Sequence, residues 1–164
     1  MNLVVDACSA ILLAKASVFE QLTFAFEIKM TKDVFEEVIA GKKRMFQDAL
    51  LIDRLHKEKK VTLVKADSQV TKKLMKDFNM GGGEASTIAR GLTEKNTIII
   101  TDNRQGRKAA SINDLPLAGS IELIVSLFKK NKITKDKALN ALKILKEEGW
   151  FNTYLIEKAM EDVK

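Results

Sequence analysis

A chain of 164 residues, 46% hydrophobic and 30% charged with a single proline, can bury one core and is too short for two comfortable ones. That balance disfavours a disordered chain, and the lack of low-complexity tracts or obvious internal repeats disfavours a solenoid. The formal charge of +6 suits an anionic partner, although solvated lysine-rich faces give the same surplus.

Cys8 is the only cysteine and His56 the only histidine, so neither an intramolecular disulfide nor a zinc site of Cys and His ligands can be assembled. The first residues, MNLVVDACSAILLA, carry no basic n-region and are interrupted by Asp6, which argues against a signal peptide. No run reaches the roughly 18 apolar residues of a membrane span. The expectation is a soluble, cytoplasmic protein with no membrane association.

In chain order, residues 2 to 5 (NLVV) read as a short apolar strand, followed by ACSAILLAK as a helix packed back on a sheet. Ser17 and Glu20 fit a capping box for a second short helix running to about Phe24. A strand follows near 26 to 30. Asp33 then reads as the cap of a helix through Val34, Val38 and Ile39 that ends at Gly41. Residues 44 to 58 are helical by pattern, with Leu50, Leu51 and Leu55 on one side, and 61 to 65 (VTLVK) form a brief strand. A short helix spans 68 to 78. The next opens after GGG at Glu84, burying Ala85, Ile88, Ala89 and Leu92. The run NTIIIT is a strand buried on both faces, residues 103 to 113 a helix, and the segment around Pro116 and Leu117 a small strand. Three helices close the chain; Gly149 stops the second and Asn152 caps the third.

Strands alternating with helices imply right-handed crossovers and a mainly parallel sheet of four to five strands between two helical layers. We read residues 1 to 164 as one domain of this three-layer α/β class, with 120 to 164 a helical extension of the same unit. In such sheets ligands sit beyond the carboxyl ends of the strands. The positions of the acids therefore carry information.

Asp6 ends the first strand and Asp102 follows the triple-isoleucine strand, which places both at one edge of a parallel sheet. Glu84 opens one helix and Glu37 lies on an earlier one. If all four converge, each like-charge pair at about 4 Å costs about 4 kcal/mol at an effective dielectric of ~20, so protons or cations must compensate. Mg²⁺ and Mn²⁺ are the fitting ions, since they take hard oxygen ligands and keep waters. Such metals activate water for attack on phosphorus, which points to phosphodiester hydrolysis.

Each acid also has a plainer explanation. Glu84 complements a helix dipole, Asp6 and Asp102 suit helix caps, and Glu37 has Glu36 beside it as an equal candidate for a solvated surface acid. It is the combination that points to a site. GGGE lacks the G-K-[ST] of a P-loop, and no dinucleotide fingerprint is present. A phosphoacceptor receiver domain needs further acids after the first strand, where VVDACSA supplies one. Cys8 reads as a small buried thiol and His56, within LHKEKK, as a surface histidine.

LVVDACSAILLAK, VFEEV, GGGEASTIARGL and IIITDNRQGRKAA, in this order and spacing, resemble a PIN domain, the nuclease fold of VapBC-type toxins. The tail from LPLAGSIELIVSLFKKNKI onward is similar to a prokaryotic subgroup of small PIN proteins, so the likeness covers nearly the whole chain. The resemblance implies a metal-dependent ribonuclease with catalytic acids Asp6, Glu37, Glu84 and Asp102. Of these, Asp6, Glu84 and Asp102 would be the metal ligands, with Mg²⁺ or Mn²⁺ as cofactor. Ser9 and Thr101 would support the acids. Many relatives carry a second aspartate where this chain has Asn103, an amide that can offer an oxygen but one charge fewer. Arg104, Arg107 and Lys108 would hold RNA phosphates; GKKR at 41 to 44 and FKKNK at 128 to 132 are further basic segments. Aromatic residues are 6%, so base stacking contributes little. Implied partners are RNA, a cognate antitoxin protein and a second copy in a homodimer.

The leading expectation is an endoribonuclease, acting as a toxin or in RNA processing. The alternatives are a non-catalytic RNA- or protein-binding PIN domain, favoured by Asn103, and a small-molecule phosphohydrolase, disfavoured by the lack of a phosphate loop.

Overall fold

The computed structural model describes residues 1–164. Five strands, β1 (Asn2–Val5), β2 (Glu27–Thr31), β3 (Val61–Val64), β4 (Thr97–Ile100) and β5 (Leu117–Ala118), form one sheet in the order β3-β2-β1-β4-β5. Every pairing is parallel. The helices are α1 (Ala7–Lys15), α2 (Phe19–Ala25), α3 (Lys32–Ile39), α4 (Gln47–Lys57), α5 (Ser68–Phe78), α6 (Gly82–Thr93), α7 (Arg104–Ile112), α8 (Ser120–Lys129), α9 (Lys135–Glu148) and α10 (Thr153–Asp162).

Alternation along the strands divides the interior into two cores. Leu3, Val5, Ile28, Met30 and Ile100 point into the larger one, which α1, α2, α3, α4 and the three final helices cover. Val4 and Ile99 point the other way, against Leu74 of α5, Ala85, Ile88 and Ala89 of α6, and Ala109 and Ala110 of α7. This is a three-layer α/β/α architecture with an all-parallel sheet, and the continuous apolar runs LVV and TIII are what burial on both faces requires.

Several local expectations are corrected. Ser17 does not cap α2: it sits at φ 60, in the left-handed region, where the chain reverses after α1, and Val18 occupies the N-cap position without a side-chain bond. Thr31, not Asp33, caps α3 by accepting the Val34 N–H at 3.3 Å. That helix ends at Ile39, and Gly41 lies inside a 3₁₀ turn, Ala40–Arg44. Helix α4 starts at Gln47 and buries Ala49, Ile52 and Leu55, so only the last of the three expected leucines is fully inside. In α6, which opens at Gly82, Leu92 is exposed. Cys8 is exposed rather than buried. His56 is partly buried, its Nδ1 3.0 Å from the Val61 carbonyl and its ring edge-on to Phe35, so the imidazole fastens α4 to β3.

At the far end the expected punctuation holds: Gly149 ends α9, and Asn152 Oδ1 accepts the Tyr154 N–H at 2.8 Å.

Candidate active site at the carboxyl edge of the sheet

The strand order reverses at β1, whose neighbours are β2 on one side and β4 on the other, and the connections leave in opposite directions there. Such a switch point opens a crevice beyond the strand ends. The register pairs Val5 with Ile100, so Asp6 stands beside Thr101 and Asp102 lies one residue further out.

Asp6 is held through both its backbone and its side chain. Its N–H donates to the Ile100 carbonyl at 3.0 Å, and its Oδ1 accepts the Ser9 N–H at 2.8 Å, capping α1. Only 1% of the residue is exposed, and Oδ2 has no hydrogen-bond partner. Burial pushes its pKa up to about 6, against the pull of the Thr101 hydroxyl, which lies near without completing a hydrogen bond, and of the Ser9 amide; the nearby Asp102 charge adds to the rise. A buried acceptor without a donor is costly unless a proton or cation serves it.

Asp102 is clamped instead by hydroxyls. Ser9 donates to Oδ2 at 2.8 Å and accepts the Asp102 N–H at 3.0 Å. Ser120, the first residue of α8, donates its N–H to Oδ1 at 2.9 Å and its hydroxyl to Oδ2. Gly119 makes this possible, because a Cβ there would lie 2.5 Å from Asp102 Oδ1. Thr101 is buried; its hydroxyl accepts the Asn103 N–H at 3.2 Å and packs on Gly106.

Glu84 lies in the first turn of α6, and its pKa is raised by partial burial and by the neighbouring Glu37. Glu37 reaches across from α3 over Gly83, where a Cβ would come within 2.7 Å of its Oε2. A bond between the Thr31 and Ser86 hydroxyls, 2.7 Å apart, holds the two helices in this relation. The Cys8 thiol, exposed at one side, is pushed up to about 11, first by partial desolvation among its neighbours and then by the charges of Asp6, Asp102, Glu84 and Glu37. All four acids thus act on one neighbourhood. They form two close pairs rather than one cage: no three Asp, Glu, Cys or His side chains converge as ligands of a single ion. Mg²⁺ needs only one or two carboxylates if waters complete its shell, so a hard-oxygen pair with one free buried oxygen fits such an ion.

Asn103 does not turn its oxygen into the crevice. Oδ1 accepts the N–H groups of Gln105 and Gly106 at 2.8 and 3.2 Å, capping α7. Among the basic residues, Arg104 and Lys108 are exposed. Arg107 is largely spent on the protein itself, donating to the Thr101 carbonyl at 3.2 Å and meeting Glu122 at 3.4 Å. Sequence reasoning missed Ser120, Gly119 and Gly83. The only local hint is a small-residue pair, Gly119-Ser120, directly after the last strand.

A parallel sheet sandwiched between helices, with carboxylates at its switch point, defines the structural class. The chain belongs to the PIN domain family, whose model matches residues 2–164. No curated protein and no solved structure matches it. PIN domains are generally nucleases and typically use divalent metal ions.

Proposed function

We propose that the chain is a Mg²⁺- or Mn²⁺-dependent endoribonuclease. The observation that carries this reading is the buried, unpartnered Oδ2 of Asp6 beside the clamped Asp102, at the place where a parallel sheet receives its ligand. Asp6 and Asp102 would hold the ion, with Glu84 and Glu37 reaching it directly or through water. When bound, the metal supplies an activated water and stabilises charge on the leaving oxygen. The protein's own residues do the positioning. Ser9 and Ser120 fix the Asp102 carboxylate, while Arg104 and Lys108 offer charge to the phosphates on the β4 side.

On this reading residues 120–164 belong to the same unit as the nuclease edge, because Ser120 is part of the site. A toxin role with a cognate antitoxin, and a homodimer, remain part of the proposal on the strength of the resemblance in the ordered motifs.

The second reading is an RNA-binding PIN domain without turnover. It is favoured by Asn103, whose amide oxygen is consumed as a helix cap, and by the separation of the acids into two pairs. Incubating the purified protein with structured and tRNA-like RNAs separates the two. We expect cleavage with Mg²⁺ or Mn²⁺ that chelation stops and that an Asp6→Asn, Asp102→Asn double variant lacks. RNA binding with no metal-dependent product would leave the second reading standing.

A further inference from the structure

The carboxyl edge of the sheet continues past the acids to β2 and β3, and the character of the surface changes there. A cleft of about 460 Å³ opens where these two strands end, bounded by Thr31, Val64 and Ala66 and by the first turns of α3, α5 and α6. That is room for one nucleotide. Lys32 enters it from α3, Lys65 from the loop after β3 and Lys72 from α5. All three are exposed, and none is among the chain's ion pairs within 4.0 Å. Asp33 is the one acid in the lining. The cleft reaches Gly82, next to the Gly83 over which Glu37 lies; the four acids themselves stand outside its lining. With strands about 4.8 Å apart, β3 stands roughly 10 Å from β1.

We propose that this lysine-lined cleft is the path of the single-stranded RNA flanking the scissile phosphate, holding its backbone through Lys32, Lys65 and Lys72. The inference rests on the nuclease reading and adds to it the side on which the substrate lies. Lysine ammoniums are mobile point charges, suited to tracking phosphates and poorly suited to fixing one base. No aromatic ring lines the cleft, and its apolar wall is Val64, Ala66 and Met75. The site therefore grips backbone with little sequence preference. None of the three lysines stands out in the sequence, since they are 33 and seven positions apart on separate elements and meet only through the β2–β3 pairing.

The test is binding of an oligouridylate of about a dozen nucleotides in chelator, followed by anisotropy across a salt series. Wild type is compared with a Lys32→Gln, Lys65→Gln, Lys72→Gln variant and with a Lys143→Gln, Lys146→Gln, Lys158→Gln control on exposed positions of the last two helices; circular dichroism checks that each is folded. The cleft variant is expected to bind roughly tenfold or more weakly at moderate salt. Its slope of log K against log salt should fall by about 0.7 to 1.4, at about 0.7 for each of the one or two phosphates of a nucleotide in the cleft no longer neutralised, while the control keeps the wild-type slope. An unchanged slope in the cleft variant, or no binding by wild type, overturns the inference. Cleavage is scored separately. An active enzyme whose cleft variant keeps KM and slope defeats the cleft and leaves the nuclease; cleft-dependent binding without cleavage defeats the nuclease and leaves the cleft as a binding site.

Discussion

Ser9 and Asp102 exchange two hydrogen bonds: the serine hydroxyl donates to Oδ2 at 2.8 Å and accepts the aspartate's own N–H at 3.0 Å. A side chain on the first turn of α1 thus fixes both the backbone and the carboxylate at the end of β4. Ser9→Ala removes both bonds and leaves a half-buried donor unserved, at a cost of about 1–3 kcal/mol. Urea denaturation should show that loss, and initial rates of RNA cleavage should fall at least about tenfold, because Asp102 keeps only its Ser120 bonds.

Asp6 ties stability to pH in a defined direction. Its pKa is about 6 in the folded chain against an ordinary 3.8, so the folded state holds the proton more tightly. The resulting stabilisation is complete below the unfolded value and is lost as pH rises through about 6, by up to about 3 kcal/mol. Metal-free protein should accordingly lose melting temperature between pH 4.5 and 7.5 relative to Asp6→Asn, which lacks this titration. At pH 7.5 the substitution should stabilise the metal-free chain while abolishing cleavage. Mg²⁺ at about ten times its Kd should restore roughly 1.4 kcal/mol to wild type and nothing to the variant; parallel pH profiles would contradict the burial argument.

Gly119→Ala tests the clamp from the opposite side. The new Cβ would meet Asp102 Oδ1 at 2.5 Å and Glu122 Oε2 at 3.0 Å. The carboxylate must shift, and a displacement near 1 Å at a reacting centre costs about a hundredfold in rate. Stability should fall by about 1–3 kcal/mol for the overpacking. Single-turnover kinetics on folded variant protein would reveal whether the rate loss exceeds what binding accounts for.

Two substitutions at Asn103 separate its cap from its charge. Asn103→Ala removes the oxygen that serves Gln105 and Gly106 and should cost about 1 kcal/mol in a thermal melt. Asn103→Asp keeps an equivalent cap and adds a carboxylate one residue from Asp102. Calorimetric titration with Mn²⁺ should then show tighter binding at unchanged stability.

The parallel α/β architecture was legible because buried strands of the LVV and TIII type and helical periodicity are local signals, and strand-end acids inherit their placement from topology. What stayed hidden depends on contacts between distant segments. Ser120 reads as an ordinary first residue of a helix until β5 brings it to Asp102. Lys32, Lys65 and Lys72 are three among many lysines until β2 and β3 pair. Cys8 reads as a small apolar residue, yet the turn of α1 that sends Ser9 inward sends its neighbour outward. Ser17 and Asp33 misled for a different reason: each sits one or two residues from a helix start whose cap was taken by the local backbone path or by Thr31.

The clamp on Asp102 also sets an order of events during synthesis. Asp6, Glu37, Glu84 and Asp102 have all left the ribosome before Ser120 follows, and Ser120 is secured only when α8 settles into the large core beside α9 and α10. The growing chain therefore holds every acid early but the means of aiming one of them late. On the proposed function, a nascent copy would stay poorly armed toward the messenger being read until its last quarter has folded.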